Sequence, residues 1–414
     1  MNMTTNKYHY ECINCGAKHE ASQVKYLCPV CSKSNTPNLP PKGVLKTIYN
    51  YQKLIEERVS FNSLKQNNFI DLLPINNIKS LPNLSIGNTP LYKINKINQS
   101  KLPFNLFLKD DSQNPTYSFK DRASAIVSAY AKEKGFNTIV AASTGNAGSS
   151  LAGICAAQGQ KAIVIVPGSA PLAKLTQILM YGATIVPING TYDDAFDLSI
   201  KATEAFGWYN RNTAFNPFTI EGKKTVSFEL FEQLNHKVPD RIFVPVGDGV
   251  IISGVYKGFE DLLKLKLIDH MPIIVAVQAK KSDNLVRNIE NKEFEIEKST
   301  SIADSISVDI PRNFYMAKMF LEKYQGEHIS VSDSEIIEAS SILSKNTGLF
   351  AEPAAAAAFA GFQFYKNTNK LTDDSNNVVL LTGSGLKDLK AVGRVIKMPK
   401  PIFPSIENLK NLLL

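Results

Sequence analysis

The sequence predicts an α/β fold built on parallel sheets flanked by helices, with a small separate module at the N terminus. Three observations carry that expectation. From about residue 104 onward short apolar runs alternate with stretches of helical period, glycine-rich turns sit where an apolar run gives way to a helical one, and two Cys-x2-Cys pairs open the chain. Strands are expected over 106–110, 138–142, 162–166, 184–187, 241–246, 273–278 and 378–381. Helices are expected over 172–181, 193–206, 221–234, 250–263, 333–344 and 354–365. Strands and helices that alternate in this way form parallel sheets, and ligand sites then gather at the carboxyl ends of the strands.

The 414 residues are 44% apolar and 20% charged, enough to bury a large core and fill two or three domains. No apolar run approaches the roughly 20 residues that span a bilayer, and residues 1–7 lack the apolar centre of a signal segment, so the cytoplasm is the expected compartment. The net charge is +8, but the lysines are scattered and no basic stripe is interleaved with aromatics. That pattern fits attraction for anionic metabolites, with no nucleic-acid or membrane partner.

Cys12-x2-Cys15 and Cys28-x2-Cys31 have the spacing of a four-thiolate zinc ribbon, in which two knuckles complete a tetrahedron. A module of about thirty residues cannot build a core unaided, so a structural metal is expected there. Cys155 lies in an alanine-rich helical stretch and is expected to be a buried apolar residue. A stiff linker, Pro37-Asn38-Leu39-Pro40-Pro41, follows the module, and 49–83 gives no clear assignment.

The most informative segment is Asn114-Pro115-Thr116-Tyr117-Ser118-Phe119-Lys120-Asp121-Arg122. Asn114-Pro115 ends a strand and Ser118 offers an N-cap hydroxyl to the helical run that follows. Lys120 would then lie in a first turn, where the helix dipole disfavours its protonated form and readies it to attack an aldehyde. A solvated Lys-Asp-Arg face is the competing reading of this segment alone. Ser143-Thr144-Gly145-Asn146-Ala147-Gly148 and Gly247-Asp248-Gly249-Val250-Ile251 each follow an apolar strand and open a helix, an arrangement that aims backbone N–H groups at an anion. Leu380-Leu381-Thr382-Gly383-Ser384-Gly385-Leu386-Lys387-Asp388 completes the series.

In this order the motifs resemble those of the fold-type II pyridoxal-phosphate enzymes, tryptophan synthase β-like, and within them the threonine synthase family. The resemblance covers about 87–388 and includes Gly87-Asn88-Thr89-Pro90-Leu91 and Glu352-Pro353. It implies a two-domain enzyme of that fold type: a large domain over 87–122 and 209–414, a small α/β domain over 123–208 inserted into it, a linker over 37–86 and the ribbon over 1–36. It implies pyridoxal 5'-phosphate as cofactor, a small phosphorylated amino acid as substrate and a homodimer, while the structural zinc rests on the cysteine spacing. Lys120 would form the Schiff base and move protons, with Phe119 beside it. Asn146 would hydrogen-bond the ring oxygen, Thr382 would face the ring nitrogen, and Gly247, Asp248, Gly249, Val250 and Ile251 would wrap the cofactor phosphate. Ser143, Thr144, Gly145, Asn212 and Thr213 would hold substrate.

Two departures stand out. The phosphate loop carries Asp248, which is expected to turn away and cap the following helix. The arginine that the family places just before Glu221-Gly222-Lys223-Lys224-Thr225 is absent, with Phe218, Thr219 and Ile220 in its place, and Lys174, Lys223 or Lys224 would have to hold a leaving phosphate. Three readings follow. The chain is a threonine synthase lyase acting on O-phosphohomoserine, a related β-eliminase or β-replacement enzyme of the dehydratase, diaminopropionate ammonia-lyase or cysteate synthase type, or a regulatory protein that keeps the fold without the chemistry.

Overall fold

The structure, a computed structural model, describes residues 7–393, 396 and 398–413. The opening residues 1–6, read above as lacking a signal segment, lie outside the described residues. The strands are β1 (Tyr8–Cys12), β2 (Lys18–Glu20), β3 (Leu45–Tyr49), β4 (Leu91–Ile97), β5 (Ser100–Asp110), β6 (Thr138–Ala142), β7 (Lys161–Pro167), β8 (Thr184–Ile188), β9 (Tyr209–Asn210), β10 (Arg241–Pro245), β11 (Ile273–Ala279), β12 (Glu327–Val331) and β13 (Asn376–Leu381). They form three sheets. The largest has the order β12-β11-β10-β13-β5-β4 and is parallel except for its edge strand β4. A parallel sheet of order β8-β7-β6-β9 makes the second, and an antiparallel sheet of order β2-β1-β3 the third.

The helices are α1 (Tyr51–Glu56), α2 (Phe61–Gln66), α3 (Lys120–Glu133), α4 (Asn146–Gln158), α5 (Leu172–Met180), α6 (Tyr192–Phe206), α7 (Phe218–Lys223), α8 (Thr225–Gln233), α9 (Val250–Lys264), α10 (Phe314–Lys323), α11 (Asp333–Thr347), α12 (Pro353–Asn367), α13 (Leu389–Gly393) and α14 (Ile406–Leu413). None of the described helices is long and apolar enough to cross a membrane. Central strands of the two parallel sheets read as continuous apolar runs because both faces are covered: Ile242, Phe243 and Val244 of β10, and Val140 and Ala141 of β6, are almost fully buried. The alanines of α12 let that helix lie close against the large sheet, with Ala355, Ala356, Ala357 and Ala358 fully buried. Cys155 is buried in α4, as its surroundings in the sequence imply.

Several elements differ from the sequence expectation. The single helix expected over 221–234 is two, α7 and α8, because the chain tightens at Lys224 and the Thr225 hydroxyl donates to the Gly222 carbonyl at 2.9 Å. β12 was hidden by its polar sequence, Glu-His-Ile-Ser-Val, and β9 by its two-residue length. β3 adds residues beyond 36 to the sheet that carries the cysteine module, and β9 carries the second parallel sheet past Trp208.

The reading of residues 120–122 as a solvated face fails for Asp121 and Arg122, which are buried. Arg122 donates to Asp111 at 2.6 Å and to Glu229 of α8 at 2.5 Å, while Lys109 of β5 donates to the same Glu229 at 2.7 Å. The Thr89 hydroxyl donates to Asp111 at 2.7 Å, and Lys109 also reaches the Thr89 carbonyl at 2.6 Å. Gly87 closes the cluster: its φ is +75°, and a Cβ there would stand 2.5 Å from a Glu229 oxygen and 2.9 Å from Arg122. One charge cluster therefore ties β5, α3, α8 and the segment before β4.

Burial alone would raise the Glu229 pKa, but Arg122 and Lys109 outweigh it and hold the carboxyl down at about 2. The folded value lies below the unfolded value of about 4.3, so the stabilisation is complete above that pH and is lost as pH falls from about 4 towards 2. Glu229→Gln is expected to cost roughly 3 kcal/mol at neutral pH, as breaking a buried pair does, and to flatten the acid limb of the stability curve in that window. Urea melts of both proteins at several pH values check this, and parallel acid limbs would contradict it.

Candidate active site

A cavity of about 540 Å³ lies where the chain leaves β6, β8, β9 and β10, and Lys120 lines it. Lys120 is the first residue of α3, and the turn before it is unusual. Tyr117, exposed, takes φ +66°, and its N–H donates to the Asn114 carbonyl at 2.8 Å. Ser118 does not cap the helix as expected. Phe119 occupies the cap position, no side chain caps the helix, and the Ser118 hydroxyl is buried without a partner. Asp121 takes over the local bonding by accepting from the Thr116 N–H at 2.7 Å, which closes the loop from the other side. Burial lowers the pKa of the Lys120 amine, with Glu352 opposing the shift, and among the described residues the amine has no hydrogen-bond partner.

The glycine-rich loop after β10 meets the same cavity through Gly247, Asp248, Gly249, Val250 and Ile251. Gly249 sits at φ +83°, a conformation few side chains tolerate, and delivers the chain into α9. The first intrahelical bond there is Ser253 N–H to the Gly249 carbonyl, so the N–H groups before it are free for an anion at the positive end of the helix. Asp248 stays on the cavity lining and does not cap α9. Left-handed Gly249 intervenes, and the Asp248 carboxylate accepts from the Arg312 N–H at 3.1 Å, ahead of α10.

Ser143, Thr144, Gly145 and Asn146 all line the cavity at the start of α4. The Asn146 amide donates to Glu352 at 2.9 and 3.1 Å, and Ser305 donates to the same carboxylate at 3.2 Å. Glu352 is 3% exposed, and burial raises its pKa against the pull of Lys120. Phe119 and Thr382 do not line the cavity. They lie side by side behind it, Phe119 N–H donating to the Thr382 carbonyl at 2.9 Å.

Arg211 and Lys223 line the same cavity. Arg211, directly after β9, is 1% exposed; it donates to Ser124 at 3.1 Å and to Thr213 at 3.2 Å, and its remaining terminal nitrogen has no partner. The Lys223 amine, at the end of α7, is fully buried and also without a partner. Burial lowers both: Arg211 to about 10, and Lys223 well below its ordinary value, with Arg211 and Lys120 adding to the shift. The other two lysines weighed for this task are engaged elsewhere. Lys224 pairs with Glu221 at 2.5 Å and Asp261 at 2.7 Å, and Lys174 pairs with Asp304 at 2.7 Å. Asn212 and Thr213 line the cavity, but the Asn212 amide is spent at both ends, accepting from Ala142 N–H and donating to Ser199.

Residues 304–310 and Arg312 line the cavity from a further side. They join the second parallel sheet's helices through Lys174–Asp304, an Arg312–Asp193 ion pair and an Asn146 to Ser305 hydrogen bond at 3.3 Å. Sequence reasoning missed Arg211, Arg312 and the role of Glu352. The available signal for Arg211 was a lone arginine between asparagines immediately after an apolar stretch, a costly place for an unpaired charge.

Elsewhere, Cys12, Cys15, Cys28 and Cys31 bring their sulfurs within 4.8 Å of one another. Cys12 and Cys31 are 3.7 Å apart, and Cys15 and Cys28 4.0 Å.

The chain matches the pyridoxal-phosphate dependent enzyme family over residues 83–383. It is 33% identical to a threonine synthase of Methanocaldococcus jannaschii across 97% of this chain and 98% of that protein. It is likewise 33% identical to one of Methanosarcina acetivorans, covering 98% of each, and 37% identical to one of Bacillus sp. across 78% of this chain and 90% of that protein. Among solved structures, the processed form of threonine deaminase isoform 2 from Solanum lycopersicum aligns with a TM-score of 0.66 at 20% identity, over 80% of this chain and 93% of that one, which speaks to the fold. Together with the lysine-bearing cavity, these matches show that the chain belongs to the pyridoxal-phosphate dependent enzymes, within the threonine synthase family.

Proposed function

We propose that this chain converts O-phosphohomoserine and water to L-threonine and phosphate. One observation carries the choice of substrate: Arg211 and Lys223, both buried and each with an unpartnered nitrogen, share the cavity with Lys120. Two desolvated cations without a carboxylate partner are costly, and a phosphate brought in by substrate would relieve that cost. A neutral hydroxy amino acid leaves them unpaired, which disfavours the dehydratase reading.

The residues present fit the cofactor. The partnerless Lys120 amine is placed to attach it, the N–H groups of Gly249, Val250 and Ile251 would hold its phosphate, and Asn146 with Glu352 would meet its ring. Thr382 would approach the ring nitrogen from behind the cavity wall. When bound, pyridoxal phosphate supplies an electron sink for charge developing on the substrate carbons. Lys120 Nζ, kept towards its neutral form by burial, would take and return protons at those carbons. Arg211 and Lys223 would hold the leaving phosphate and balance its growing charge as the C–O bond breaks. Ser143, Thr144 and Gly145, at the start of α4, would receive the substrate carboxylate, and the stretch 304–312 would limit the water admitted to the one consumed.

The four cysteines would hold a structural zinc as a ribbon. A tetrahedron with Zn–S bonds near 2.3 Å needs sulfurs about 3.8 Å apart, and the Cys12–Cys31 and Cys15–Cys28 separations of 3.7 and 4.0 Å support that fit. Free cysteines suit a reducing compartment such as the cytoplasm, and exposed Ile406, Leu409 and Leu412 along α14 support a homodimer.

Lys120→Ala is expected to leave the fold intact, by circular dichroism, while abolishing the yellow absorbance of the loaded protein; a variant as yellow as the parent would contradict the assignment. Arg211→Met and Lys223→Met are each expected to lower kcat/KM for O-phosphohomoserine by roughly a hundredfold, the loss of one charged contact to phosphate. Release of ammonia and a keto acid from serine or threonine, with no phosphate from O-phosphohomoserine, would replace this function with β-elimination. Metal analysis of reduced protein is expected to give one zinc per chain, and Cys12→Ser with Cys15→Ser to abolish it; a metal-free parent would contradict the ribbon.

A further inference from the structure

The N-terminal module packs directly onto the segment that carries Arg211. β9 is only two residues long; it pairs with β6 through Tyr209 and Asn210, the Arg211 N–H continues to the Val140 carbonyl at 2.8 Å, and the Arg211 side chain beyond that ladder has hydrogen bonds, among the described residues, only to Ser124 and Thr213. The module adds a further hold on this segment from another side. Tyr26, two residues before Cys28, accepts the Asn210 N–H through its hydroxyl oxygen at 3.0 Å. Its ring stacks on Phe215 with centroids 4.5 Å apart and leans on Tyr209 at 5.8 Å. At the other end of the segment, Tyr8 and Tyr10 of β1 each lie 6.0 Å from the ring of Phe218, the residue that starts α7 and so sets the direction in which Lys223 leaves it. The module thus grips 209–218 at both ends, and the two unpartnered cations sit just after each grip.

We infer that Tyr26 is a positioning residue for the phosphate subsite, and that the cysteine-rich module serves the reaction as a brace for Arg211 and Lys223. This rests on the proposed role of those two cations. Asn210 is the immediate neighbour of Arg211, so a hydrogen bond to its N–H limits where the guanidinium can point. Aromatic stacking on Phe215 limits the chain beyond Thr213. A brace of this kind changes how well phosphate is held and leaves the chemistry at Lys120 untouched.

The test uses the full-length, cofactor-loaded protein, with inorganic phosphate as probe. Phosphate affinity by calorimetry, KM and kcat for O-phosphohomoserine, and the cofactor absorbance are compared for Tyr26→Ala, Tyr26→Phe and Arg211→Met. Tyr26→Ala is expected to weaken phosphate binding and lower kcat/KM about tenfold, with the absorbance unchanged. Tyr26→Phe keeps the stacking and loses one hydrogen bond, so it should recover most of the loss, leaving about a threefold effect. If Arg211→Met weakens phosphate binding and Tyr26→Ala does not, the brace is refuted and the cation clamp stands. If neither weakens it, the clamp itself is refuted. Equal losses of absorbance, kcat and phosphate affinity in Tyr26→Ala would also refute the brace, since they describe general damage. Should Tyr26→Ala not fold, Phe215→Leu removes the stacking partner within the 209–218 segment, and an unchanged phosphate affinity there would overturn the inference.

Discussion

The site depends on how Arg122 is held. A guanidinium ligated by Asp111 and Glu229 fixes the rotation of α3 about its axis, because its fork tolerates little change in direction. Lys120 lies two residues earlier on the same helix, so about 200° of helical rotation separates the two side chains. Anchoring the arginine in the core therefore sends the lysine to the opposite side, where the cavity is. The same carboxylates hold the end of β5 and the start of the segment that leads to β4, so the lysine's position is set jointly by three pieces of chain distant in sequence.

Around that anchor the structure treats buried charge in two opposite ways. Lys224 sits among Glu221, Asp261 and the ring of Tyr49, and its charge is answered inside the protein. Lys223, its neighbour in sequence, faces the cavity with no answer. Adjacent residues on a helix point about 100° apart, so a single turn can place one lysine in a completed network and the next in an incomplete one. Incomplete networks are expensive to maintain, and the surrounding structure has to over-determine them. Tyr49 belongs to β3, so part of that over-determination comes from the sheet shared with the cysteines.

How much could be read beforehand follows from the range of the interactions involved. Lys120, the loop at Gly249 and the start of α4 were legible because each is a strand-to-helix turn whose residues act within a few positions of one another. The strands β6, β7, β10 and β11 were legible from unbroken apolar runs. Arg211 was not, because its significance lies in what fails to pair with it, and the arginine was sought after Asn216 and Pro217, a few positions further along the chain. Ser118 looked like a cap on local grounds, yet its hydroxyl is idle, since the β-bridge that sets Ser118 opposite Gly383, through Phe119 N–H to the Thr382 carbonyl and Ser384 N–H to the Tyr117 carbonyl, dictates the backbone there. Thr382 was read from its loop as the residue facing the ring nitrogen, and its carbonyl accepts the Phe119 N–H beside Lys120.

The distance along the chain between the cysteines and Phe218 has a consequence in time. During synthesis the module emerges before Phe218, which follows Cys28 by 190 residues, an interval of roughly 10–40 s at ordinary elongation rates. Through that interval four thiols and three tyrosines destined for an interior stand in the solvent of the cell with nothing to dock against. An oxidant that joined two of the sulfurs before the rest of the chain arrived would alter the module before it docks, and the proposed brace on Arg211 would be laid down already altered.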